Sequence, residues 1–161
     1  MTAEMIDTVD AARITGRPAL VAGYIDGDYA WDREDWGLPA VRGAIKNLIT
    51  VGGSLIANTY DIENGDGTPE QGAQWIRAKQ AAGKRGCTIY CARSNLQAIW
   101  EACEGLAYYI WVADWTGEPH EVPNTVACQY TNLRAADVDV SVVYSGEWVT
   151  AIDAANRPWP L

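Results

Sequence analysis

The chain has 161 residues, a net charge of −9 and a hydrophobic fraction of 48%, which suits one domain with a buried core. The negative charge argues against nucleic acid or an anionic membrane surface as a partner, because phosphate contacts need clustered Lys and Arg. No apolar run reaches the ~20 residues that cross a bilayer, and residues 1–18 lack the basic and apolar regions of a secretory signal.

Short runs of β-branched and aromatic residues alternate with helical segments along the chain. This alternation predicts an α/β protein built around a largely parallel sheet. The predicted strands, in chain order, are Leu20–Gly27, Ile45–Val51, Ile56–Glu63, Cys87–Ala92, Tyr108–Trp115, Thr125–Thr131 and Val138–Val143.

One short connection interrupts the parallel pattern. Only the four residues "GGSL" separate the second predicted strand from the third. A parallel crossover needs a dozen or more residues, whereas Gly52-Gly53 between two β-rich runs is typical of a hairpin turn. The sequence therefore predicts an antiparallel hairpin near residues 45–63.

Two helices carry clear start and stop signals. The segment Thr68–Gln71 is a capping box with Pro at the first helical position, and its helix is predicted to run to about Ala82, before Gly83. The segment Ser94–Gln97 has the same kind of start, and Gly105 ends the second helix.

Acidic residues stand at the ends of two predicted strands. Asp26 ends the first strand, and Asp61 and Glu63 end the third, where residues i and i+2 project from the same face. Ligands and catalytic groups of α/β folds gather at the carboxyl ends of strands, and a close carboxylate pair keeps one proton near neutrality. Such a pair is the usual equipment of glycoside hydrolysis. The alternative is that these acids flank an exposed loop and cap the next helix.

No metal or cofactor site is predicted. The glycines and Asp66 that follow Glu63 fit no EF-hand loop. Free buried thiols are expected for the four cysteines, which are Cys87, Cys91, Cys103 and Cys128. The eight Trp and eight Tyr, with no Phe, suit stacking on sugar rings, and filling the core is the alternative.

Six segments, in this order along residues 19–143, carry a family resemblance. They are "VAGYID" with Asp26, "YDIE" with Asp61 and Glu63, "TIYCARSNL" with Tyr90, "IWVADW" with Trp111 and Trp115, "CQYTN" with Gln129 and Tyr130, and "VDVSVV" with Asp139. Together they resemble the glycoside hydrolase family 25 lysozymes (muramidases), and more closely the glycoside-hydrolase-like barrel domains common in actinobacterial phages and their hosts.

The resemblance implies a role for each matched residue. Glu63 would be the general acid that protonates the glycosidic oxygen, and Asp61 would stabilise the positive charge that develops at the sugar. Asp26 and Asp139 would flank and tune this pair. The residues expected to bind substrate along the groove are Tyr90, Trp111, Trp115, Gln129 and Tyr130. For Tyr90 and Trp111, interior packing is the alternative.

The chain differs from the family in the length of one segment. Only 35 positions separate Asp26 from Asp61, about one βαβ unit, where the family has far more chain to wall the substrate groove. We therefore expect a flattened or incomplete (β/α) TIM-like barrel over residues 19–144, preceded by residues 1–18 as an N-terminal arm. The segment "YIDGDYAW" leaves open whether Asp26 or Asp28 is the inward acid.

The implied activity is muramidase-like hydrolysis of the glycan of bacterial peptidoglycan by a phage-encoded protein. Without its own signal, it would stay in the host cytoplasm until lysis, or travel in a virion, and act at the cell wall. The alternative is a non-catalytic virion or glycan-binding module, which the −9 charge favours because cell walls are themselves anionic. Residues 145–161 are predicted to form a helix capped by Ser145 and a Trp/Pro tail, which either cover the bottom of the barrel or anchor it on other virion proteins.

Overall fold

The computed structural model describes residues 2–63 and 65–156, which form a closed eight-stranded barrel with helices around it. The strands are β1 (Ala3–Asp7), β2 (Leu20–Tyr24), β3 (Ile45–Thr50), β4 (Thr59–Ile62), β5 (Thr88–Ala92), β6 (Tyr109–Ala113), β7 (Ala127–Leu133) and β8 (Val138–Val143). The helices are α1 (Arg33–Gly37), α2 (Pro39–Arg42), α3 (Pro69–Ala81), α4 (Leu96–Ala102) and α5 (Gly146–Asn156). Within the described ranges, no helix combines the length and the apolar character that a bilayer span requires.

The strands pair in chain order around the barrel, from β1 to β8 and back to β1. The pairings from β1 to β7 are parallel, whereas β8 runs antiparallel to both of its neighbours. The predicted α/β barrel is confirmed, but it is closed rather than incomplete. The difference arises because residues assigned to an N-terminal arm contain β1, in which Met5 is fully buried and Asp7 lies two positions further on the same face.

The predicted antiparallel hairpin near residues 45–63 is wrong, because β3 and β4 pair in parallel. The pairing aligns Ile49 with Thr59, so that only the end of β3 faces the start of β4. Since β4 is displaced along the barrel in this way, the chain does not have to return along the full length of β3. Residues 51–58 suffice for the connection, as staggered strands of a barrel allow, and Gly53 makes its turn at φ +81°.

The starts of the two predicted helices differ. The Thr68 hydroxyl accepts a hydrogen bond from the Gln71 backbone N–H at 3.3 Å, and the Gln71 side chain accepts one from the Thr68 N–H at 2.9 Å. The capping box before α3 is thereby confirmed. A 3-10 turn at Arg93–Asn95 leads into α4 instead, and no side chain caps that helix, because the backbone is already turning where the cap was expected.

Two hydrophobic layers stabilise the barrel. Outward-facing strand residues such as Ile62 and Ile89 pack beneath the helices, in a layer that also contains all four cysteines, which are free and buried as predicted. The inner layer fills the barrel and includes Met5, Leu20 and Trp111. The interior below the carboxyl ends of the strands is therefore a packed core and not a channel.

Helix α5 closes the end of the barrel opposite those carboxyl ends. Its Trp148 is fully buried and donates the indole N–H to the Thr88 hydroxyl at 2.8 Å. The Ser145 hydroxyl accepts from the Trp148 backbone N–H at 3.2 Å, in agreement with the predicted cap. The helical part of the C-terminal segment thus covers the bottom of the barrel, whereas the Trp/Pro tail, residues 157–161, lies outside the described residues.

Candidate active site

The carboxyl ends of the parallel strands surround a cavity of about 290 Å³, here called the acidic cavity. Its lining residues are Asp7, Thr8, Val9, Tyr24, Asp26, Asp28, Tyr29, Val51, Glu63, Asp66, Tyr90, Gln129 and Asp139. Six of these described residues are Asp or Glu, and none is Lys, Arg or His. The volume lies just below the range that is typical of ligand sites, roughly 300–1,000 Å³.

Strand β4 directs Asp61 and Glu63 to the inside of the barrel, because they lie two positions apart, while Ile62 between them packs in the outer layer. Asp61 is only 1% exposed and lies beneath the cavity wall. The Tyr24 hydroxyl donates to Asp61 Oδ2 at 2.8 Å, whereas Oδ1 is buried and has no hydrogen-bond partner among the residues that the structure describes. Glu63 is half-buried and lines the cavity itself.

Burial keeps a proton on this pair near neutral pH. Removal from water and the nearby Glu63 charge, opposed by the Tyr24 hydrogen bond, raise the pKa of Asp61 to about 7. Burial also raises the pKa of Glu63, and the charges of Asp66 and Asp139 act in the same direction. A carboxyl that stays protonated at neutral pH is what general acid catalysis requires.

Asp7, which the sequence analysis missed, faces Asp139 across the antiparallel pairing of β1 with β8. Gln129 donates to Asp7 Oδ2 at 2.9 Å and accepts from the Tyr90 hydroxyl at 2.9 Å. Burial raises the pKa of Asp7 well above its usual range, and the Asp139 charge adds to the effect. The signal that could have found Asp7 is the one that marked Asp61: an acid at the end of an alternating strand.

Burial likewise raises the pKa of Asp139, although the Asn132 side chain donates to its Oδ1 at 2.6 Å and acts in the opposite direction. Because β8 is antiparallel, Asp139 near its start lies at the same end of the barrel as Asp7 at the end of β1. Glu63 and Asp139 thus line the same cavity, and one oxygen of Asp61 lies within 4.8 Å of one of Glu63. The catalytic roles expected of these acids stay predictions.

Asp26 and Asp28 both line the cavity, but their carboxylates have different surroundings. Asp26 Oδ1 accepts from the backbone N–H groups of Val51 at 2.8 Å and Gly52 at 3.2 Å, and Oδ2 accepts from the Thr50 hydroxyl. Asp26 is therefore the inward acid, and its carboxylate fixes the loop that follows β3. Asp28 is exposed at the rim.

No family model matches the sequence, and no curated protein matches it significantly. Solved structures do share its architecture. The bacterial lysozyme from Streptomyces coelicolor matches with a TM-score of 0.58 at 18% identity, covering 95% of this chain and 98% of that one. A family GH25 lysozyme from Aspergillus fumigatus matches with 0.55 at 12% identity, covering 94% and 99%. A Tat-secreted protein of Mycobacterium tuberculosis matches with 0.56 at 14% identity, covering 91% and 98%. The chain has the lysozyme barrel fold.

Within this lysozyme-like barrel, only two of the five expected substrate-binding residues, Tyr90 and Gln129, line the acidic cavity. Trp111 is fully buried in the inner layer, with its ring centroid 4.4 Å from that of Tyr90. Tyr130 follows Gln129 on β7 and packs in the outer layer, because neighbouring strand residues face opposite sides. Trp115 lies beyond β6 and is 57% exposed. These last three residues are therefore not part of the wall of the acidic cavity, and their contact with a substrate stays a prediction.

Proposed function

We propose that the protein is a muramidase-like glycoside hydrolase that acts on the glycan of bacterial peptidoglycan. The observation that carries the proposal is the convergence of Asp7, Asp61, Glu63 and Asp139 in and beneath one cavity at the carboxyl ends of a barrel. The solved structures with this fold include proteins described as lysozymes and muramidases. In such barrels, catalytic groups lie at that end.

In this mechanism Glu63 is the general acid. It lines the cavity, where the glycosidic oxygen of a bound sugar can reach it, and burial favours its protonated form. Asp61 is buried next to it. In the reactive state Glu63 holds the proton that the pair shares, and the negative charge of the ionised Asp61 stabilises the oxocarbenium-like transition state. Tyr24 holds the orientation of Asp61 through the bond to Oδ2.

The separation of the two acids supports a stereochemical outcome. One carboxylate oxygen of Asp61 and one of Glu63 lie within 4.8 Å of each other. Inverting glycosidases keep their two carboxyls about 6.5–9.5 Å apart, to leave room for the attacking water, whereas retaining enzymes keep them about 5–5.5 Å apart. We therefore expect hydrolysis with retention of the anomeric configuration, which NMR of the first-formed sugar product would record.

A cell-wall digestion tests the proposal directly. Purified peptidoglycan is incubated with the wild type, with Glu63→Gln and with Glu118→Gln, and new reducing ends are counted by borohydride reduction. Glu118 is exposed and distant in sequence from the cavity-lining residues, so that its variant is the matched control for loss of one carboxylate. Wild type and Glu118→Gln should release reducing ends on muramic acid, and Glu63→Gln should release almost none. An active Glu63→Gln protein would refute the assignment.

The charge favours a second candidate function, a non-catalytic virion or glycan-binding module. A protein of net charge −9 is repelled by an anionic wall. This repulsion matters less for a module that is attached to other virion proteins through its C-terminal tail, because the whole particle then brings it to the wall. For both candidates we propose a phage origin, with the protein in the host cytoplasm until lysis or within a particle. Wall binding without any new reducing ends would favour the module.

A further inference from the structure

We propose that the acidic cavity binds one Ca²⁺ ion through carboxylate oxygens of Asp61, Glu63 and Asp66. These three side chains offer oxygens that all lie within 4.8 Å of one another. The set arises because the end of β4 and the loop after it come together in space, so that an EF-hand spacing in the sequence is not needed.

The charge of the cavity wall favours a cation. Six acidic side chains line about 290 Å³, and no basic side chain is among the described lining residues. Like charges at this distance repel one another, and a divalent cation among them removes most of that repulsion.

An unpartnered oxygen on Asp61 points independently to a ligand. Asp61 is 1% exposed, and within residues 2–63 and 65–156 its buried Oδ1 has no hydrogen-bond partner. The Tyr24 hydroxyl occupies the other oxygen, Oδ2, and thereby fixes the carboxylate plane. A buried carboxylate oxygen without a partner is costly, and coordination of a cation would remove that cost.

The spacing of the oxygens suits Ca²⁺, and Mg²⁺ gives up its bound water more reluctantly. Two ligands on opposite sides of Ca²⁺, at about 2.3–2.6 Å each, lie up to about 5 Å apart, whereas those of Mg²⁺ at about 2.0–2.1 Å lie no more than about 4.2 Å apart. Separations up to 4.8 Å therefore suit the larger ion without movement of the strand. The three carboxylates leave three to five of the roughly six to eight Ca²⁺ positions for water or sugar hydroxyls.

The proposal has a consequence for catalysis that rests on the proposed hydrolase function. Glu63 cannot hold Ca²⁺ and the catalytic proton on the same oxygen, so that bound Ca²⁺ should inhibit hydrolysis. Millimolar Ca²⁺ would then keep the enzyme inactive, and its removal would activate it.

Calorimetric titration of the chelator-treated full chain with CaCl₂ at pH 7.5 and 0.15 M NaCl tests the binding site. We expect one saturable site with a dissociation constant of about 10⁻⁴ M, in the range of rigid sites with few charged ligands, and at least tenfold weaker binding of Mg²⁺. Asp66→Asn should weaken Ca²⁺ binding at least tenfold. Asp28→Asn, which removes a charge from the same cavity outside the triad, should change it less than threefold.

Several outcomes would overturn the site. One is the absence of saturable heat up to about 10 mM Ca²⁺, and another is an equal affinity for Mg²⁺. A third is an equal loss of Ca²⁺ affinity in Asp66→Asn and Asp28→Asn, which would indicate that the cavity attracts counter-ions without a defined site. Asp66 is exposed on its loop, and a circular-dichroism melt verifies that its variant is folded. Terbium luminescence excited through Tyr24, whose hydroxyl donates to Asp61 Oδ2 at 2.8 Å, provides a second measurement and should reproduce the order of the variants.

The wall digestion then separates the two proposals. If walls are cut, Ca²⁺ should inhibit with a midpoint near its dissociation constant, and Asp66→Asn should shift that midpoint at least tenfold upward. Hydrolysis that stays unchanged at saturating Ca²⁺ would remove Glu63 from the ligand set. If walls are not cut under any condition, the hydrolase proposal fails while the calorimetric result stands.

Discussion

Replacing Asp61 by Asn should remove a large part of the pH dependence of unfolding. The folded protein raises the pKa of Asp61 from 3.8 to about 7, and an acid whose folded pKa is raised stabilises the fold only while it is protonated. The destabilisation of the fold by ionised Asp61 is absent below pH 4 and complete above pH 8. The wild type should therefore lose stability as the pH rises through this window.

The magnitude follows from the same two pKa values. They differ by about 3, and each pKa unit corresponds to about 1.4 kcal/mol, which gives about 4 kcal/mol. Asn keeps the bond from Tyr24 but places an amide where the unpartnered oxygen was, at a cost of about 1–3 kcal/mol that does not depend on pH. Relative to the wild type, Asp61→Asn should thus gain about 4 kcal/mol between pH 4 and pH 8.5.

Urea unfolding followed by tryptophan fluorescence at pH 4, 6 and 8.5 measures this difference. Comparing two proteins at each pH cancels the contributions of groups that do not interact with Asp61. Because the Asp61 charge also raises the pKa of Asp7, the measured gain includes the relief of Asp7. Glu118→Gln, at an exposed site, should differ from the wild type by less than about 0.5 kcal/mol throughout. If the difference in unfolding free energy between Asp61→Asn and the wild type stays constant across these pH values within about 1 kcal/mol, the conclusion that burial destabilises the ionised form of Asp61 is refuted.

Three further predictions concern the frame of the barrel. Gly23→Ala should cost about 1–3 kcal/mol in urea unfolding, because a Cβ there would lie 2.6 Å from the Trp31 ring, which the bond of its indole N–H to the Thr8 carbonyl fixes. Trp148→Ala should cost about 3–5 kcal/mol by the same measurement, since that side chain closes the bottom of the barrel. Truncation after Asn156 should keep the calorimetric melting temperature within a few degrees but abolish incorporation into any assembly. A shortened protein that assembles normally would exclude the tail as an anchor.

The period of β-strands made much of the site predictable from sequence. The alternation of side chains along a strand predicts that Asp61 and Glu63 share a face. Because catalytic groups of such barrels lie at the carboxyl ends of the strands, both acids are expected at the mouth of the barrel. The same two arguments, applied to "AEMID", would have located Asp7. Five residues without a neighbouring turn signal, however, do not distinguish a strand from an arm.

The stagger of the strands was not predictable from sequence. The short loop after Val51 excludes a parallel connection only if β3 and β4 start at the same height along the barrel axis. The pairing of Ile49, near the end of β3, with Thr59, at the start of β4, shows that they do not. Composition also could not show which aromatic residues stack on a bound sugar and which pack in the core. Trp111 has the same strand environment in the sequence as Tyr90, and the two are partners in the pairing of β5 with β6. Only Tyr90 lines the cavity, whereas Trp111 is fully buried and donates its indole N–H to the Ser141 hydroxyl at 3.0 Å.

The energetic cost of the buried acids bears on the choice between hydrolase and passive module. A barrel used only as a docking platform would gain stability if Asp61 were neutral, because burying its charge costs about 4 kcal/mol, a sizeable share of the roughly 5–15 kcal/mol that hold a domain folded. The bottom of the same barrel shows what packing alone favours there: Trp148 and Ile152 are buried among apolar neighbours. A charge retained at such a cost at the mouth is more readily explained by a task that needs the charge, which both proton transfer and cation binding provide. The buried carboxylate at Asp61 thus favours an active cavity over a passive one.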